Sequence, residues 1–135
     1  MEFPGIRVGK SSTMRHTVNE VDTFGNHLPD DVQSLLSSPG LSSLMIQASS
    51  ALVDPLLPDG FMSVGKSVSL IHEHPSVVGA TIDLTVTITD FDGYHVTLSM
   101  EARDDSGLVG AGTHVRSIVN KRWLQIRIHR RLENL

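Results

Sequence analysis

The chain is predicted to be an α+β domain in which an antiparallel sheet packs on one long helix. Three observations carry this. Leu41, Leu44, Met45, Ala48, Leu52 and Val53 follow steps of three and four, the spacing of one helix face. From Met62 onward, apolar residues alternate with polar ones, the period of a half-buried strand. Asp92-Gly93 and Asp104-Asp105-Ser106-Gly107 interrupt the alternation with turn formers, which join neighbouring strands tightly.

The elements follow in order. RHTVNEVDTF, 15–24, reads as a first strand of imperfect alternation. Residues 25–39 are rich in turn and cap formers and read as a loop with a short helix over DDVQSLL. The long helix covers 41–57, with Ser38 or Pro39 at its start and Pro55 near its end. Its small residues, Ser42, Ser43, Ala48, Ser49, Ser50 and Ala51, allow close approach to a sheet. Strands follow over 64–74, 80–91, 94–103 and 108–120. In the second of these, Ile82, Leu84, Val86 and Ile88 share one face. The helix should lie across one face of the resulting meander. KRWLQIRIHRRL suits a closing helix, with Leu124, Ile128 and Leu132 in line, or a strand extension, and the helix is preferred.

The length of 135 residues fits one domain, 1–135, with a real core. One Trp, one Tyr and four Phe leave that core to Val, Leu, Ile and Met. The absence of cysteine excludes disulfides, thiolate metal sites and a cysteine nucleophile, and fits a reducing compartment. No stretch approaches the ~18 apolar residues of a membrane span, and MEFPGIRVGKSSTM has no signal-like apolar run. No membrane partner is therefore expected, and the expected location is the cytoplasm. The net charge of −4 divides unevenly. Lys121, Arg122, Arg127, Arg130 and Arg131 stand against Glu133 in the tail, a net of +4, so residues 1–120 carry −8. The basic tail either attracts an anion such as phosphate or balances the acidic body as a solvated face. Nucleic acid is not an expected partner, because no basic-aromatic surface appears.

VSLIHEHP, 68–75, places two histidines on the face that Val68 and Leu70 begin. His72 and His74 could share a metal, with His95 and His114 as further ligands. The usual carboxylate after such a pair is missing, since PSVVGATID offers no acid before Asp83. No metal and no cofactor are therefore expected.

GAGTHVR, 110–116, resembles the G-x-G-T-H-x-R segment in the last strand of the fluoroacetyl-CoA thioesterase family. RVGK at 7–10, Leu44-Met45 with Ala48, and Gly65 seven residues before His72 match further motifs of that family in the same order. The resemblance runs from about Arg7 to Val119. It implies a hot dog fold, a curled antiparallel sheet wrapped around one central helix, acting on acyl-CoA as a homodimer or higher assembly. It also implies site residues. The family's catalytic histidine maps onto His72, its glycine onto Gly65 and its arginine onto Arg116. The family's threonine falls near Ser38, which keeps a hydroxyl. The family's glutamate falls at Ile46, with Gln47 beside it. Isoleucine can be neither nucleophile nor base, and glutamine can only orient a water.

Each of these residues also has a plain structural role. Ser38 could be the helix N-cap. Ser42 and Ser43 are alternative hydroxyls that suit packing. Arg116, between Val115 and Ile118, must be paired or reach a pocket, and an acidic residue on a neighbouring strand would serve. Gly65 could supply a backbone N–H to a thioester oxygen or mark a bulge. His114 and Arg116 share a face with Gly110 and Gly112, whose missing side chains suit a dimer seam or an acyl pocket. His74 reads as a surface residue. The expected function is therefore hydrolysis or binding of a short acyl thioester. His72 would activate water or Ser38; Gly65, Arg116, Gln47 and His114 would hold the substrate; the tail's arginines would meet coenzyme phosphates. A non-catalytic acyl-CoA binding module is the alternative, favoured by Ile46.

Overall fold

The computed structural model of the chain describes residues 2–24 and 29–135. Five strands, β1 (Ser11–Thr17), β2 (Phe61–His72), β3 (Thr81–Phe91), β4 (His95–Asp104) and β5 (Gly107–Asn120), form one antiparallel sheet. A short helix α1 (Asp30–Gln33), a long helix α2 (Ser38–Val53) and a closing helix α3 (Lys121–Glu133) complete it. The tail is thus helical, as preferred from its spacing. Of the loop expected over 25–39, residues 25–28 lie outside the described residues.

β1 lies earlier than the strand predicted over 15–24. Val18 is buried, and Asn19 then turns the chain. The Asn19 side chain accepts from the Val21 N–H, and the Asp22 carboxylate accepts from the Asn19 N–H. This reciprocal cap closes a single 3₁₀ turn, Glu20–Asp22, and local side-chain bonds win over strand extension. α2 also begins and ends earlier than predicted, because Pro55 terminates it in a second 3₁₀ turn, Asp54–Leu56.

The strand order is β1-β3-β4-β5-β2. β3, β4 and β5 form the expected meander, but β2 does not join it beside β3. It pairs with β5 at the opposite edge. Residues 73–80 contain no two-residue hairpin signal and instead cross the end of the sheet. The Glu73 and His74 N–H groups both donate to the Val109 carbonyl, and the Ser76 hydroxyl donates to Asp104 at 2.8 Å.

The core fills the space between the sheet and α2. Ile82, Leu84, Val86 and Ile88 from β3 and Val96, Leu98 and Met100 from β4 are buried against Leu41, Leu44, Met45, Ala48 and Val53. Gly110 and Gly112 permit this approach. A side chain at Gly110 would meet Leu41 at 2.8 Å, and one at Gly112 would meet the Ser69 carbonyl and Met45. The two glycines thus admit α2 and β2 of the same chain. β2 carries a bulge between Gly65 and Ser67, so both Gly65 and Val68 face the buried side of β5, opposite Arg116 and His114.

Gly112→Ala should destabilise the fold by about 2 kcal/mol through overpacking, read as a lower urea midpoint with an unchanged m-value.

Candidate active site

The first turn of α2 decides which serine is free. Ser37, not Ser38 or Pro39, is the N-cap: its Oγ accepts from the Gly40 N–H at 2.9 Å and donates to the Asp22 carbonyl at 3.1 Å. Pro39 occupies the start of the helix, where its missing N–H costs nothing. Ser38 is released from capping, and its Oγ lies 2.9 Å from His72 Nδ1. His72 is the last residue of β2 and pairs with Gly110. The pair expected from sequence therefore meets.

Among the described residues His72 has no acid partner. Its Nε2 is buried and, among the described residues, makes no hydrogen bond. Burial lowers the pKa of the ring from its usual 6.5. The imidazole is therefore held neutral near pH 7, with Nδ1 directed at a hydroxyl, as a general base requires. Ile46 is half-buried farther along α2 and supplies no carboxylate. Gln47 is exposed, with its amide 3.4 Å from Ser43 Oγ one turn back along the helix.

Gly65 lies seven residues from His72 on β2, about 23 Å at the rise of an extended strand. Within one chain they cannot address the same thioester carbonyl. Gly65 sits instead over a buried polar chain that sequence did not reveal. The Asp54 carboxylate accepts from the Ser63 N–H at 2.9 Å and the Ser63 hydroxyl at 2.6 Å. Arg116 Nε donates to Ser63 Oγ at 2.7 Å, and a terminal nitrogen donates to the Ser63 carbonyl at 2.9 Å. Its other terminal nitrogen lies 3.1 Å from His114 Nε2. A guanidinium has no lone pair to give, so His114 Nε2 is the acceptor and the proton sits on Nδ1. That proton goes to the Ser67 carbonyl at 2.8 Å. Burial first, and then the Arg116 charge, lower the His114 pKa against the raising effect of the Ser67 bond, in keeping with this neutral form. The chain thus grips Ser63 and Ser67, two residues either side of Gly65. Among the described residues no carboxylate on a neighbouring strand pairs with Arg116 directly, and its charge meets Asp54 through Ser63.

His72, His74, His95 and His114 do not come together as one cluster among the described residues. His74 is exposed. His95 is held by Asp92 at 2.8 Å and lies 3.2 Å from Lys66. His114 is committed as above. Among the described residues no group of three or more His, Asp or Glu could hold an ion.

Residues 18–122 match the family described as the fluoroacetyl-CoA-specific thioesterases. The chain belongs to that family. Its function is accordingly acyl-CoA thioesterase-like. A fluoroacetyl-CoA thioesterase from Streptantibioticus cattleyicolor is 23% identical over 121 residues, which cover 86% of this chain and 87% of that protein. A hot-dog-like protein from Thermanaerovibrio acidaminovorans superposes with a TM-score of 0.89 at 31% identity, over 97% of each chain. A fluoroacetyl-CoA thioesterase variant in complex with acetyl-CoA superposes at 0.84 and 21% identity, over 93% of this chain and 98% of that one. The hot dog fold inferred from GAGTHVR and its companion motifs is therefore the fold observed.

The two adjacent serines should separate cleanly. Ser37→Ala should cost about 1 kcal/mol of stability by removing the cap, whereas Ser38→Ala should leave the unfolding midpoint nearly unchanged.

Proposed function

We propose that the chain hydrolyses short acyl-CoA thioesters with Ser38 as nucleophile and His72 as its base. The observation that carries this reading is the 2.9 Å contact between Ser38 Oγ and His72 Nδ1. Ser38 Oγ attacks the thioester carbonyl and its proton passes to His72 Nδ1. The carbon–sulfur bond breaks, and the departing thiolate takes that proton. Water then attacks the acyl-serine, again losing its proton to His72, and the acid leaves as Ser38 is restored. With Ile46 in place of a carboxylate, no acyl–carboxylate intermediate forms.

The oxyanion needs a donor, and distance excludes Gly65 of the same chain. We assign it to Gly65 of the partner subunit in a homodimer. β2 is an edge strand, and residues 65–69 along it are exposed. An unpaired edge with exposed Val68 and Ile71 is a template for another strand. Antiparallel pairing of β2 with its copy, about a two-fold axis between Val68 and Ser69, would set the glycine of one protomer against the histidine of the other. The buried chain from Asp54 to Ser67 then serves to hold that glycine at a fixed height. Ile46 favours the second reading, an acyl-CoA binding module without turnover.

A panel of short acyl-CoAs, with release of free thiol followed by absorbance, tests the mechanism. Ser38→Ala and His72→Ala should each lower kcat/KM by about 100-fold or more. Turnover that survives His72→Ala would remove the proposed base, and tight binding with no turnover by the unaltered protein would favour the binding module. Because burial lowers the His72 pKa, the proton-accepting form persists at acid pH, so the acid limb of kcat/KM should have its midpoint below 6.5, with a plateau at neutrality. Sedimentation should give twice the 14.7 kDa protomer mass, and activity per protomer should fall on dilution to the monomer.

A further inference from the structure

α3 and the end of the sheet enclose a groove of about 310 Å³ that the Ser38–His72 chemistry does not use. Phe61, Ile118 and Leu124 form its apolar floor, Tyr94 and Trp123 stand at its edges, and Arg127 reaches it. This volume is at the lower end of the range of small-molecule sites. Tyr94 is 65% exposed and Trp123 71%, so both retain accessible ring surface. Arg127 forms no ion pair among the described residues. Most of the helix that frames the groove lies beyond the matched family segment, which ends at residue 122.

We propose that this groove binds the adenosine-phosphate end of the coenzyme A thioester. This rests on the acyl-CoA reading above and adds a nucleotide site to it. Flat heteroaromatic rings stack on tryptophan and tyrosine, and a guanidinium binds phosphate oxygens in pairs. Five basic residues against one acid give α3 a positive field that draws a polyanion in. Of the tail's arginines, Arg127 is the one that lines the groove. Arg122 and Arg130 line a separate depression on the helix. Reach also fits. Phe61 is eleven residues from His72 of its own chain, about 36 Å, but only four from Gly65, about 13 Å. In the proposed dimer, the groove of one protomer would therefore serve the thioester cleaved at the other, and the pantetheine arm would span the gap.

Trp123 is the single tryptophan, so its fluorescence reports this groove alone. Titration with adenosine 3′,5′-bisphosphate should give a saturable change. Arg127→Ala should weaken it by about tenfold, the scale of one charge-assisted hydrogen bond. Arg130→Ala, with the same loss of charge elsewhere on α3, should weaken it far less. No saturable change, equal losses in the two variants, or a response to decanoate but not to the bisphosphate would overturn the proposal. The readout needs no turnover. Saturable binding without acyl-CoA hydrolysis would fault the hydrolase reading alone, and hydrolysis without a fluorescence response would fault the nucleotide site alone.

Discussion

The structure depends on how closely α2 approaches β5. Gly110 and Gly112 lack the side chains that would hold the helix away, so Leu41 and Met45 descend onto the strand. Gly110 is also the residue that β5 presents to His72. One contact therefore seats the helix and sets its first turn beside the last residue of β2. Ser38 stands three residues before Leu41 and is carried to His72 by that seating. Core packing and the serine–histidine distance are the same geometric fact, and neither can relax without the other.

A second constraint lies at the far end of α2. Arg116 is buried without a direct carboxylate partner among the described residues, an arrangement that is stable only when each donor finds an acceptor. Ser63 solves this by bonding Arg116 through both its hydroxyl and its carbonyl, while Asp54 fixes the hydroxyl. Burial pulls the guanidinium pKa down and the Asp54 charge raises it. Since Asp54 follows directly on the helix and Ser63 lies near the start of β2, the network ties the end of the helix to the edge strand. The fold thus clamps β2 at both ends, leaving its middle open.

Much of this was legible in sequence, for identifiable reasons. The helix and strands followed from periodicities that burial enforces. The meeting of His72 with Ser38 follows from a motif order that surrounds them. The placement of β2 was not legible as a meander, because a strand's own alternation does not say which neighbour it pairs with. The N-cap lies one residue earlier than expected, since Ser37 and Ser38 are chemically alike and only their folded partners, Gly40 and Asp22 for one and His72 for the other, distinguish them. Asp54 and Ser63 carry no motif. Their roles arise from a buried guanidinium that needs acceptors, and they are visible only once the chain is folded around it.

The bulge in β2 makes chain length, rather than composition, the strictest requirement on that strand. Phe61, Ser63 and Gly65 face the helix side at odd positions, and Val68, Leu70 and His72 do so at even ones. The single extra residue reconciles the two series. A variant with one residue deleted there could keep every other side chain and still turn His72 away from Ser38, because a one-residue slip inverts the faces of a strand. Residue 66 itself can therefore vary widely in identity, while insertions and deletions near it are the changes the molecule is least able to absorb.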